Sequence, residues 1–367
     1  MKNSIVYSFL VLCLVLSSCG DDDGGNSPLS IEDAKASMDN MAADMTTDVV
    51  NVVQSEGVEA LDELFNLLDL NDPFGGRLAE MDQNEKRKWL KERAMLFKTI
   101  FIPTKSINFN RVKDSDFDFD GNKGIYNWNP LTEEFEKSEE ASDFIIINFP
   151  SEGSETNNVA LRITNYAEES IVEEEDGFVN EYYAITELNA DLSVDGTTQV
   201  SVDLLVDYND SGDPVSLNGS LFVNPYTFTV TFNDTQATVS TLTASITEGS
   251  NVITSADLTV TFETSDKEEL IAVSGFVQYL NIKLQGSIDV TGADDEGDDF
   301  DINEFISLEL FDGDNKIGDI VLVYEDDVDG YEEEVIYVEY ADGSKERLED
   351  ILQPVIDEFE DQFDDWG

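Results

Sequence analysis

Beginning at residue 31, apolar side chains recur at the spacing of a helix. Ile31, Ala34, Met38, Met41, Ala42, Met45, Val49 and Val52 fall on one stripe, which predicts an amphipathic α-helix. Ser30, with Asp33 three residues on, has the pattern of a capping box opening that helix. Leu61, Leu64, Phe65 and Leu68 extend the pattern into a second segment that ends near Asp72-Pro73-Phe74-Gly75-Gly76. A third segment begins near Asn84, carries Trp89, Leu90, Ala94, Phe97 and Phe101, and stops before Pro103.

Past about residue 104 the period shortens to two. Leu188, Ala190, Leu192 and Val194 alternate with polar neighbours; Val200, Val202, Leu204 and Val206 follow after an Asp195-Gly196 turn. Tyr226, Phe228, Val230 and Phe232 repeat the pattern, as do Ala256, Leu258, Val260 and Phe262. Alternation means one dry face and one wet face, the pattern of antiparallel sheet; parallel strands buried on both sides read as continuous apolar runs. Gly219, Gly275 and Gly286 lie inside strand patterns and predict bulges or bends. The acidic stretches 168–177 and 292–303 read as exposed loops. Tyr331–Tyr340 reads as a late strand, followed by an Asp342-Gly343 turn and Ser344 as the cap of a last helix. Leu348, Ile351, Leu352, Val355, Ile356, Phe359 and Phe363 give that helix an apolar stripe, and Pro354 is expected to kink it.

These patterns predict an α+β fold: a large, curved, mainly antiparallel sheet with N-terminal helices and a C-terminal amphipathic helix packed on it. The expected divisions are a leader over 1–18, an acidic flexible tether over 19–29, a helical region over 30–103, a sheet region over 104–343 and the last helix over 344–367. Residues 30–367 are expected to form one compact body.

The N-terminus carries the most specific chemistry. Lys2 precedes an apolar run from Ile5 to Leu16, too short for a permanent span. Leu16-Ser17-Ser18-Cys19 follows. An aliphatic residue, two small residues and a cysteine resemble the lipobox of bacterial lipoproteins. That resemblance implies a cleaved signal peptide and a lipid on the Cys19 thiol. Gly20-Asp21-Asp22-Asp23-Gly24-Gly25-Asn26-Ser27 resembles the acidic segment that follows the lipidated cysteine in surface lipoproteins of the Bacteroidota. The implied location is the outer membrane, facing the cell exterior. A link of this composition sets the folded part roughly 15–20 Å from the lipid.

Composition narrows the chemistry. The chain has 2 cysteines and no histidine. With Cys13 in the leader and Cys19 acylated, no disulfide is expected. Ser-His-Asp and Cys-His nucleophile systems are excluded, as are histidine-ligated metals. The 81 acidic residues against 20 basic ones give a net charge of −61, which excludes nucleic acid as a partner. Such charge fits a solvated surface in a salty exterior better than a dedicated cation site. Half of the basic residues fall between Arg77 and Lys113; they are expected to face the protein's own acidic surface, the alternative being a patch that meets an acidic partner or a membrane.

Asp116-Phe117-Asp118-Phe119-Asp120-Gly121 is similar to the start of an EF-hand calcium loop, but its twelfth position is Asn127 in place of a bidentate glutamate. The expected alternative is a hairpin, with Asp116, Asp118 and Asp120 toward solvent, Phe117 and Phe119 inward, and a turn over 121–124. Asp312 and Asp314 sit in a similar polar hairpin turn. Asp294, Asp295, Asp298 and Asp299 read as part of an acidic loop. A diffuse calcium atmosphere is expected at these carboxylates and no dedicated cofactor.

The expected role is therefore non-enzymatic: a lipid-anchored envelope protein that binds or scaffolds an envelope protein, glycan or lipid. In outline the fold is similar to the half-barrel lipoprotein carriers of the bacterial envelope, which implies as an alternative a cavity for a lipid or other hydrophobic ligand. A glycan-acting enzyme built on paired carboxylates is the third alternative.

Overall fold

The structure, a computed structural model, describes residues 28–61, 64, 118–132, 134–151, 153–175, 178–209, 211–267, 269–291, 302–326 and 332–364. In chain order its elements are helix α1 (Ile31–Val53), the short helix α2 (Phe119–Asn122), β1 (Gly124–Asn129), β2 (Glu134–Lys137), β3 (Ile145–Phe149), β4 (Val159–Glu175), β5 (Phe178–Val194) and β6 (Thr197–Tyr208). There follow β7 (Pro214–Val223), β8 (Tyr226–Asn233), β9 (Val239–Glu248), β10 (Asn251–Phe262), β11 (Leu270–Tyr279), β12 (Ile282–Asp289), β13 (Ile306–Asp312), β14 (Asn315–Asp326), β15 (Glu332–Tyr340), β16 (Lys345–Arg347) and helix α3 (Leu348–Asp364). Residues 56–61 are also helical. This is a β-rich α+β fold. No described helix is long and apolar enough to cross a membrane. The chain divides into two compact units, one of Met1–Val53 with Asn233–Gly367, the other of Gln54–Phe232.

In the first unit, strands β9 to β16 lie in sequence order, each antiparallel to the next. The register sets one dry row, Ala256–Val277–Leu284–Leu310–Gly318–Tyr340, across six strands. A row on the other face, Thr241–Thr259–Ser274–Ser287–Ser307, carries only hydroxyl side chains. The alternation in sequence is thus the alternation of faces. Ser30 caps helix α1: the Asp33 N–H donates to Ser30 Oγ at 3.2 Å, and Ser30 Oγ donates in turn to the Asp33 carboxylate at 2.5 Å. Its Ala34, Met38, Met41, Ala42 and Met45 join one buried cluster with Leu348, Ile351, Leu352 and Val355 of α3 and the dry face of the strands. Burying each of these larger side chains contributes roughly 1.5–3 kcal/mol.

Two of the glycines expected to bend the strands lie opposite each other. Gly275 and Gly286 face each other in the register of β11 and β12, with φ of +138° and +135°. A Cβ on Gly275 would run into the Asp257 carbonyl oxygen, and one on Gly286 into that of Ser307. Only glycine fits either position. The C-terminus differs from expectation. Ser344 does not cap α3; residues 345–347 pair with β15 as β16, and the helix starts at Leu348. The Ser344 N–H donates instead to Asp342 Oδ1, closing the turn. Ile356 and Phe359, expected within the core stripe, are 38% and 39% exposed, because the buried stretch of the helix ends at Val355.

In the second unit the order is β8-β7-β6-β5-β4-β3-β1-β2. From β3 to β7 neighbours are antiparallel, but β1 and β3 run parallel. The chain doubles back through β2, antiparallel to β1, so β3 sets off in the direction of β1 on its other side. Here β2 serves as part of the crossover that parallel strands require. The dry row Ile147–Leu161–Leu192–Val200–Val223 crosses five strands and shares a cluster with Ala60 and Leu64. The Asp195-Gly196 turn is present, with φ of 51° and 78°, as a two-residue hairpin requires.

Two local expectations fail in this unit. Residues 168–175 are not a loop but the far half of β4, paired with β5 as far as Glu175↔Phe178. Cross-strand hydrogen bonds satisfy that backbone despite its charge; Ile171 within it and Ala184 of β5 are buried together. Residues 119–122 form a helical turn where a strand and hairpin turn were expected, because the Asp118 carboxylate accepts from the Gly121 N–H at 2.8 Å and caps it. Asp118 and Asp120 are nevertheless exposed and Phe119 is half-buried.

Candidate functional site

A polar concavity in the first unit lies where α1 crosses the hairpin ends. Ser37, Asn40, Met41 and Asp44 line it from α1; Tyr279, Leu280, Asn281, Ile282 and Asp312 line it from the β11–β12 turn and the end of β13. It encloses about 80 Å³, room for a few water molecules.

The strands place these groups by register. Tyr279 pairs with Ile282, and Ile282 with Asp312, so one end of β11, β12 and β13 converges on the helix. Leu280, in the two-residue turn, has φ +48°, a conformation that bulky residues rarely take. Its N–H donates to the Ile253 carbonyl at 3.1 Å, and its side chain packs on the main cluster. Asp312 then receives two donors, Ser37 Oγ at 2.5 Å and the Asn281 side-chain amide. Tyr279 donates from its hydroxyl to Asp48 Oδ2 at 2.8 Å. Burial, first, and then the hydrogen bond to Asp48 and the charges of Asp48 and Asp44 push the Tyr279 phenol well above its ordinary range. Tyr340 is raised in the same way, by burial and by its hydrogen bond to Glu346.

The sequence-derived candidates are dispersed. Asp312 belongs to this cleft. Asp314 sits in the turn after it, beside Gly313 at φ +56°. Asp118 and Asp120 lie in the other unit; the first caps α2 and the second pairs with Lys123 at 2.6 Å. Asp116, Leu16, Ser17, Ser18 and Cys19 lie outside the described residues, as do Asp294, Asp295, Asp298, Asp299 and the basic run from Arg77 to Lys113. Among the described residues, no group of three or more histidine, cysteine or acidic side chains is spaced to hold a metal ion. Sequence reading missed Ser37, Asn40, Asp44, Asp48 and Asn281. Their only signal is a polar edge on α1 and an asparagine at a hairpin tip.

A second cavity, of about 20 Å³, lies over the Gly275–Gly286 pair among Leu258, Val273, Val277, Leu284 and Ile288. Neither cavity approaches the several hundred cubic ångströms that a lipid or similar ligand fills.

In comparison with known proteins, no family model, curated protein or solved structure matches the chain.

Proposed function

We propose that this chain is a lipid-anchored protein of the bacterial envelope, held at the outer membrane through Cys19 and facing the exterior, where its folded body binds or scaffolds another envelope component without catalysis. The observation that carries the reading is Leu16-Ser17-Ser18-Cys19 after a short apolar run and before an acidic, glycine-rich segment. The chain's start supports it: Pro28 forms a bridge to Lys316, and the Leu29 N–H donates to the Lys316 carbonyl at 2.9 Å. This tie to the sheet lies nine residue steps after the cysteine. The lack of histidine supports a role without acid–base catalysis at neutral pH.

The finer form of the fold belongs to the same proposal. The opposed glycines at 275 and 286 support a bend across β11 and β12, with α1 and α3 on the dry side. The small size of the two cavities favours a binding or scaffolding body over a carrier. Metabolic labelling with a radioactive fatty acid tests the anchor. Label should enter the wild-type protein and fail to enter Cys19→Ala; equal labelling of both, or of neither, would sink the reading.

A further inference from the structure

The tie between Leu29 and Lys316 also fixes which end of the first unit the anchor holds. Lys316 is the second residue of β14, next to the Gly313-Asp314 turn. The register carries this end across the sheet: Asn315 pairs with Asp312, Asp312 with Ile282, Ile282 with Tyr279, Thr254 with Tyr279 and Asn251 with Glu248. The turns at 249–250, 280–281 and 313–314 therefore share one end of the strands. The turn at 263–269 and the 302–305 turn share the other end, together with the far ends of β14 and β15.

Two lengths separate these ends from a lipid surface. From Cys19 to Pro28 the chain reaches at most about 30 Å when fully extended, and as a flexible glycine-rich link spans about 15–18 Å. Along β14, from Asn315 to Asp326, the sheet adds about 37 Å. Charge sets the posture. Asp33, Asp39, Asp44, Asp312 and Asp314 lie on or beside the near end, against fewer lysines such as Lys35 and Lys316, so acidic side chains predominate there and disfavour insertion among anionic headgroups.

We infer that the end of the first unit bearing the 249–250, 280–281 and 313–314 turns is its membrane-facing surface, standing over lipid headgroups without inserting. The 263–269 turn and the far ends of β14 and β15 point away, where a partner can reach them. The inference rests on the anchoring reading above and adds an orientation to it.

Energy transfer from single labelled cysteines to an acceptor dye at the surface of phosphatidylcholine–phosphatidylglycerol vesicles tests it. The mature chain has no cysteine besides Cys19, so Asp314→Cys and Ser265→Cys each offer a single site in acylated protein. The near end at about 15–18 Å and the far end of β10, eight residue steps beyond Thr254, at about 42–45 Å predict at least roughly twofold more transfer from position 314 than from 265. Twenty glycine and serine residues inserted between Ser27 and Pro28 should reduce transfer from 314. Equal transfer from both positions in protein that carries the fatty acid would overturn the orientation and leave the anchor standing. Protein without fatty acid that also shows no transfer from either position would overturn both.

Discussion

In the first unit every strand lies antiparallel to its neighbour in sequence, and two long helices contribute Met38, Met41, Leu348 and Leu352 to the cluster beneath the sheet. In the second unit β1 and β3 run parallel, and the helical residues described in its cluster are Ala60, Leu64 and those packed beside them. Both units obey the same rule of faces: apolar residues two apart share the dry side. They differ in how the chain returns. Turns such as Asp195-Gly196 leave no choice of direction, whereas the 15 residues between β1 and β3 contain a whole strand and permit a parallel return. Alternation decides which face is dry; connection length decides which way a strand runs.

The sharpest test of that comparison truncates one core side chain in each unit. Phe149→Ala in the second unit should cost about 3–5 kcal/mol and Met38→Ala in the first about 2–5 kcal/mol, since each is 1% exposed. Hydrogen exchange in the unacylated Cys19→Ala protein should show protection lost mainly within 54–232 for the former and within 31–53 and 233–364 for the latter. Uniform loss in both variants would remove the distinction between the units.

The glycines divide the units next. Gly286→Ala forces a Cβ against the Ser307 carbonyl at φ +135° and should cost about 3 kcal/mol. Gly219→Ala in the second unit meets Val230 Cγ1 at 3.1 Å, a side-chain atom that can yield, at an ordinary φ. Its effect should stay within about 1 kcal/mol. Urea midpoints measure both, and comparable losses would show that no bend at 275 and 286 distinguishes the first unit.

Alkaline pH should weaken the first unit through Tyr279 and Tyr340. Both phenols are raised in the folded state, so the unfolded chain gives up its protons first. The stabilisation is complete below about pH 10 and is lost as pH rises from there toward the raised values, by at most about 1.4 kcal/mol per pH unit for each tyrosine. Tyr279→Phe should flatten this loss, and it should cost about 1 kcal/mol at neutral pH by deleting the bond to Asp48. An unchanged alkaline limb in urea titrations would count against the Tyr279–Asp48 contact. The smallest effect belongs to Lys123→Ala in the second unit. The pair with Asp120, whose carboxylate side chain is 86% exposed, should change the urea midpoint by less than about 0.5 kcal/mol in free energy.

Much of the fold was legible because its signals are local. The stripe from Ile31 to Val52 became α1, and its buried positions are those the spacing selects. The alternating runs at 188–194, 200–206, 226–232 and 256–262 lie in β5, β6, β8 and β10. Where a nonlocal partner decides the outcome, the reading failed. Residues 168–175 look like a charged loop until β5 satisfies their backbone, and residues 345–347 look like a helix start until β15 claims them. The cleft was harder still. Asp48 and Tyr279 are 231 positions apart in the chain, and Ser37 and Asp312 are 275 apart, so no spacing rule could join them.

The amino-acid order by itself determined the faces of the strands, the stripe and cap of α1, the hairpin turn at 195–196 and the absence of histidine chemistry. Each of these follows from neighbours within a few residues or from composition. Only the tertiary structure decided the parallel pairing of β1 with β3, the division into two units and the joining of Asp312 with Ser37. It also decided which end of the sheet holds Leu29. The reason is physical: periodicity fixes where a side chain points, whereas register and direction are settled by the distant strand that completes the hydrogen bonds.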